Sequence, residues 1–321
     1  MTSPGSTYVD IDGSPVHIAD YGGITDSPTV VCVHGLAGSH AQWRALARAL
    51  SPHCRVLAVD LPGHGRTPRL GRSATVSANQ KVLNRLLRDV IGEPVVLVGH
   101  SMGATLSVLQ AAGYADTVSA MALIAPPLPR AGVPLPSRLL ATQVALCAWP
   151  WLAKRTLSRR LERLGAAGFV QARLTDTCVS LDAIDPSTLD LIIELVESRA
   201  AGDDAEAAFV EAARSVGLLV ARAAAYRQAL AAVPAPTLLL HGDSDPLLRH
   251  HGLDDIAALR PDWRLELLEG VGHSPHLEAP AETARLILGH LQVPSGGNSS
   301  TAADLWSDTP SLAGPDLPYA V

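Results

Sequence analysis

Ser101 lies in the stretch VVLVGHSMGATLSVL (residues 95–109), with Gly99 and Gly103 two positions to either side. A strand-like apolar run ends at this serine and a helix-like run begins. A serine has no special claim on a packed core, so its place at a sharp reversal calls for a chemical reason. The spacing Gly99-His100-Ser101-Met102-Gly103 supplies one. Glycines lack Cβ, so strand and helix can approach closely around a residue held in a strained conformation. The serine then projects into a cleft at a helix N-terminus. There the amide of Met102 can donate to an oxyanion, and the helix dipole favours negative charge.

A serine hydroxyl is a weak nucleophile until a base takes its proton. Twelve histidines are available. His273, in EGVGHSPHLEAP, follows the last strand-like run and precedes the last helical one. In a parallel sheet that loop opens at the carboxyl ends of the strands, the edge that also carries Ser101. His276 is the second choice. His100 adjoins the serine, but neighbouring residues on a tight turn point apart. His250 and His251 fall at a helix start; His34 and His64 read as cleft-lining or loop-fixing; His17, His40, His53 and His290 read as surface or structural. The base needs an acid to orient it and to stabilise the imidazolium. HGDSDPLL (residues 241–248) offers Asp245, deep in its loop before Pro246, with Asp243 as the rival nearer the strand end. A second oxyanion donor, beside the amide of Met102, is expected from the amide of Leu36 in HGLAGS (residues 34–39).

The elements that must position these groups can be read from hydrophobic pattern. Residues 7–21 alternate around Asp12-Gly13 and predict a β-hairpin. Runs at 29–35, 54–60, 94–100, 118–126, 236–243 and 263–270 are apolar without alternation, as in a parallel sheet covered on both faces. Helical stretches at about 41–50, 75–91, 102–113, 250–260 and 279–292 fall between them, which gives a doubly wound α/β architecture. From Pro127 to Val233 the alternation stops, and Leu- and Ala-rich helical runs follow one another. The expected organisation is therefore a core formed by residues 1–126 and 234–293, a helical insertion at 127–233 and a tail at 294–321 rich in Ser, Gly, Pro and Asp, expected to be disordered. The apolar residues of the insertion, Trp149 and Trp151 among them, are expected to pack rather than to line a pocket.

Composition narrows the classes. The chain has 321 residues, 47% of them apolar, and a net charge of −6 with its basic residues scattered; this argues against a nucleic-acid surface. No apolar run is long enough to span a membrane, and the start, MTSPGSTYVDIDG, has no secretory pattern. The four cysteines, Cys32, Cys54, Cys147 and Cys178, form no CxxC pair; free thiols in a reducing cytoplasm are expected. Neither a phosphate-cradling loop nor a dinucleotide fingerprint is present, and no metal or cofactor is called for.

Four stretches together, VHGLAGSHAQW, VDLPGHGRT, VGHSMGA and the pair HGDSDPLL with GHSPHLEAP, fall in an order that resembles the α/β-hydrolase superfamily, in its lid-containing branch. Thr67 stands where the second stretch ordinarily carries a serine. The resemblance implies a mostly parallel eight-stranded sheet flanked by helices, with a helical lid after the sixth strand, and a serine hydrolase whose catalytic residues are Ser101, Asp245 and His273. It implies an acyl-enzyme and an ester substrate, and the Leu- and Ala-rich insertion suggests a small to mid-sized, apolar one. A carbon–carbon bond hydrolase acting on a diketone, a cofactor-free perhydrolase, and a non-catalytic ligand-binding protein on the same scaffold are the rival readings. Dehalogenases and epoxide hydrolases look similar but attack with a carboxylate, where this chain has Ser101.

Overall fold

The computed structural model describes residues 5–129, 149–199, 204–248 and 252–291. Its sheet begins with the expected hairpin. Strands β1 (Gly5–Ile11) and β2 (Ser14–Asp20) pair antiparallel about Asp12 and Gly13, whose φ angles of 54° and 77° suit a two-residue hairpin turn. The remaining strands are β3 (Val30–Val33), β4 (Val56–Val59), β5 (Val95–His100), β6 (Val118–Ile124), β7 (Thr237–Gly242) and β8 (Arg264–Leu268). They form one eight-stranded sheet in the order β1-β2-β4-β3-β5-β6-β7-β8. β2 meets β4 antiparallel, and every later pairing is parallel.

Successive strand residues feed opposite faces, which explains the absence of alternation in the sequence. Val31, Val33, Leu57, Val59, Leu97 and Leu239 pack on one side with helices α2 (Val76–Arg85) and α3 (Met102–Gly113). Val30, Cys32, Val56, Ala58, Val96 and Val98 pack on the other. There they meet α1 (Arg44–Leu50) and the last helix of the described chain, which spans Pro280–Leu291.

Between β6 and β7 the described residues hold no strand, only helices: α4 (Pro150–Thr175), α5 (Pro186–Arg199), α6 (Asp204–Ala221) and α7 (Ala223–Ala232). Three shorter or later helices complete the set: α8 (Leu253–Leu259), α9 (Pro275–Glu278) and, as α10, the Pro280–Leu291 helix. The segment has a small core of its own, in which Val170, Leu174, Cys178 and Ile184 close over Leu277 of α9. It is also tied to the sheet domain by polar contacts. Glu211 of α6 accepts from Arg69, from the Ser73 hydroxyl (2.6 Å) and from the Ala74 amide (3.1 Å). Trp149 and Trp151 depart from expectation: they are 58% and 67% exposed, at the start of α4, and pack into neither core. His250, His251, Cys147 and the tail lie outside the described residues.

Candidate active site

The strand–turn–helix around Ser101 is built on close contact. β5 ends at His100, α3 begins at Met102, and Ser101 between them has φ 52° and ψ −113°, a conformation that costs roughly 1–3 kcal/mol for a residue with a side chain. The Ser101 amide donates to the Ile124 carbonyl at 2.9 Å, and its own carbonyl receives the Thr105 amide at 3.1 Å. A Cβ at Gly103 would collide with the Val33 carbonyl, and one at Gly99 would come within 2.5 Å of the Gly103 carbonyl oxygen. Both positions therefore need glycine. His100 and Met102 are buried while Ser101 keeps some exposure.

Asp245 and His273 meet. The Nδ1 of His273 is 2.7 Å from Asp245 Oδ2, and both side chains are buried. A carboxylate only accepts, so Nδ1 carries a proton; in the neutral imidazole this leaves the lone pair on Nε2, the tautomer a general base needs. The other carboxylate oxygen accepts the amides of Leu247 and Leu248, both at 2.8 Å. Burial alone would raise the Asp245 carboxyl. The charges and hydrogen bonds of His273 and His241 outweigh burial and hold it well below the usual carboxylate range. Asp243 instead serves a turn, accepting the Gly270 amide at 2.8 Å.

The His273 loop is clamped to the serine turn and to the helical segment. The Nε2 of His100, the residue before Ser101, donates to the His273 carbonyl at 3.0 Å, and the two rings are 4.9 Å apart. The His273 amide donates to the Thr177 carbonyl at 2.8 Å, just past α4. Glu278 accepts from the amides of Gly272 (3.1 Å), Ser274 (3.2 Å) and Val179 (2.7 Å). A Cβ at Gly242 would strike the carbonyls of Val271 and Gly272, so that glycine lets the end of β7 approach the loop. His276 lies against His100 and Trp43, with ring centroids 4.4 and 4.6 Å away. Neither of its ring nitrogens has a protein partner, and burial, then His273, pushes its pKa down to about 3.

Leu36 follows Gly35, where a Cβ would sit 3.1 Å from that of Ser101. The turn after β3 therefore abuts the serine, and the next residue, Ala37, has φ 52°. His34 fixes this turn: its Nδ1 is 2.8 Å from the Gly35 carbonyl, and its Nε2 accepts the Leu61 amide at 3.1 Å.

His17, His40 and Asp60 form a buried trio of metal-ligand type. Both Nδ1 atoms face the same Asp60 oxygen, at 2.8 and 2.7 Å, and the carboxylate also accepts the amides of His40 (2.6 Å) and Arg66 (2.8 Å). Each Nδ1 thus donates a hydrogen bond to Asp60 in this arrangement. The trio ties β2 to the segments that follow β3 and β4, with burial opposing and the two histidines prevailing to keep Asp60 ionised.

His241, Glu278 and the Asp60 brace were not singled out from the sequence. Glu278 does lie five residues after His273, at the end of a one-turn helix, where a carboxylate can reach back to the amides before it. A cavity of about 100 Å³ between the turn after β3 and helices α4–α6 was not legible either; its lining includes Ala37, Gln42, His64, Phe169, Arg173 and Phe209.

A family profile of the alpha/beta hydrolase fold matches residues 28–280. Human monoacylglycerol lipase ABHD6 is 24% identical over 280 residues, which cover 82% of this chain and 75% of that protein. The pimeloyl-[acyl-carrier protein] methyl ester esterase of Aromatoleum aromaticum is 27% identical over 267 residues, 81% of this chain and 96% of that one. Among solved structures, the haloalkane dehalogenase DatA of Agrobacterium tumefaciens superposes with a TM-score of 0.76 at 22% identity, covering 91% of this chain and 98% of that one. A lipase structure from Acinetobacter baumannii gives 0.69 at 22% identity, over 90% of this chain and 91% of that one. At that identity the structural likeness is one of fold.

Proposed function

Since the chain belongs to the α/β-hydrolase family and is a hydrolase, we propose that it cleaves carboxylic esters through Ser101, His273 and Asp245. Ser101 attacks the carbonyl carbon while His273 Nε2 takes its proton. The negative charge that develops on the carbonyl oxygen is held by the amides of Leu36 and Met102, the latter at the N-terminus of α3. His273 returns the proton to the leaving alcohol, and an acyl-serine remains. Water activated by the same imidazole then releases the acid. Asp245 keeps the proton of His273 on Nδ1 and stabilises the imidazolium.

The observation that carries this reading is the buried 2.7 Å contact between Asp245 and His273, joined through His100 to a serine in strained backbone. The esterase and lipase named above support the ester as substrate class, and the fold's likeness to a dehalogenase adds no chemistry of that kind, because Ser101 stands where those enzymes need a carboxylate. The helices between β6 and β7 act in this reading as the lid, and the core extends over 1–126 and 234–293. No described helix is long and apolar enough to cross a membrane. Cys32, Cys54 and Cys178 are free and buried, which suits a reducing, cytoplasmic setting.

The test is labelling by a fluorophosphonate probe together with hydrolysis of p-nitrophenyl esters graded by acyl length. Wild type labels and turns over; Ser101→Ala does neither. Labelling that persists in Ser101→Ala removes Ser101 as the nucleophile.

A further inference from the structure

Arg173 lies near the end of α4 with its side chain in the cavity. Its Nη2 is 3.4 Å from the Leu36 carbonyl, so the guanidinium stands beside the residue whose amide is assigned to the oxyanion. Phe169 and Phe209, the only two phenylalanines of the chain, flank it with ring centroids 6.0 and 5.8 Å away. Among the described residues no carboxylate pairs with it. Asp176, three residues on, is engaged by Arg160 at 3.7 Å, and Glu206, which also lines the cavity, forms no ion pair with Arg173. Burial, reinforced by Arg160 and opposed by Asp176, pushes its pKa down to about 10. A guanidinium remains charged there at neutral pH, and a partly buried cation with no anion beside it carries a desolvation cost.

The cavity wall has other unmet polar atoms. Gln42 Oε1 and His64 Nε2 are buried without partners among the described residues, and both residues line the same space. His64 Nδ1 faces the Pro62 carbonyl at 3.1 Å, so its Nε2 is an acceptor. A purely apolar guest would leave the cation and both acceptors unsatisfied, at about 1–3 kcal/mol for each neutral group. A guest with an acidic end satisfies the cation, and Arg binds carboxylates through paired N–H donors.

We propose that Arg173 binds a carboxylate of the substrate, so that the preferred esters carry an acid group a few bonds from the scissile carbonyl. The spacing follows from placement. A carbonyl oxygen held by the Leu36 amide is roughly 10 Å or less from a guanidinium in contact with the Leu36 carbonyl, given backbone bond lengths of about 1.2–1.5 Å. A short dicarboxylic half-ester spans that distance. This assignment rests on the serine hydrolase reading and narrows its substrate.

The experiment compares kcat/KM within two pairs of esters, using the full chain. In the first, mono-p-nitrophenyl glutarate is set against p-nitrophenyl pentanoate; in the second, 4-acetoxybutyrate against butyl acetate. The pairs place the acid on the acyl and on the alcohol side respectively. Wild type is expected to favour the anionic member of one pair by about tenfold or more. Arg173→Gln should lose that preference mainly through KM, and Arg173→Lys should restore part of it. No preference for the anion in either pair, or a loss in Arg173→Gln that is equal for charged and neutral esters, overturns the proposal and leaves Arg173 as a brace on the Leu36 turn. Glutarate titrated calorimetrically into Ser101→Ala separates the two readings. Binding that Arg173→Gln abolishes supports the carboxylate site even if no ester is turned over, whereas hydrolysis of neutral esters without glutarate binding keeps the hydrolase and sinks the site.

Discussion

The serine turn and the helical segment between β6 and β7 are built by opposite means. At the turn, backbone touches backbone: Gly103 faces the Val33 carbonyl, Gly99 faces Gly103, and Gly242 faces Val271 and Gly272. In the segment, apart from the backbone bond between His273 and Thr177, side chains do the joining. Glu211 reaches Arg69 and Ser73, Glu278 reaches Val179, and Gly217 on α6 has no neighbour within 4 Å of where a Cβ would stand. The proposed chemistry thus sits where conformation is fixed by what residues lack. In the same reading selectivity falls to a region fixed by which long side chains meet.

That contrast can be broken or sharpened by substitution. The largest effect is expected for Asp245→Asn, which keeps the shape of the site but removes the charge that sets the His273 tautomer. Its kcat should fall by about 10⁴-fold, or roughly 5 kcal/mol in barrier. Steady-state hydrolysis of a p-nitrophenyl ester reads it, and a fall below tenfold would detach Asp245 from the chemistry. Next comes Gly103→Ala, which should cost about 3 kcal/mol or more of stability through overpacking against the Val33 carbonyl; the urea midpoint reports it.

The third effect concerns pH. The folded pKa of His276 is pushed down to about 3, whereas an unfolded histidine titrates near 6.5. Between those values the unfolded chain takes up a proton that the folded one refuses, so this group lowers stability as pH falls through that window. His276→Phe should remove that contribution, and the loss of unfolding free energy between pH 7 and pH 5 should shrink by about 2 kcal/mol. An unchanged loss would show that His276 is not held neutral. The smallest effect has the opposite sign. Gly217→Ala, in an exposed helix interior with open space around it, should raise stability by about 0.5–1 kcal/mol. Gly103 and Gly217 thus receive the same substitution with opposite outcomes, and matching outcomes would erase the contrast.

The same difference governs what could be read from sequence. The hairpin about Asp12-Gly13, the run of strands and the start of α3 at Met102 were legible, because turn chemistry and two-sided apolar strands leave local patterns. So was the meeting of Asp245 with His273, since both follow strands that end at one sheet edge. Strand ends were read a residue or two too long; β3, expected over 29–35, spans Val30–Val33. The Asp60 brace joins residues 43 and 20 positions apart. Glu278 and Thr177 are a hundred residues apart in chain yet hold one loop. Arg173 faces a cavity walled by five separate segments. Such contacts have no period, and a helix rich in Leu and Ala gives no local sign of which charged residue turns inward.

The hydrogen bond from the His273 amide to the Thr177 carbonyl carries a consequence for how such a site opens. A swing of α4 large enough to part those two atoms removes one of the three hydrogen bonds that hold His273, beside those to Asp245 and His100. If the helices are the lid and His273 the base, as proposed, entry to the pocket and readiness of the base are mechanically linked: a door ajar disarms the enzyme, and settling of the helices arms it. Deuterium uptake at that one amide would count the openings directly.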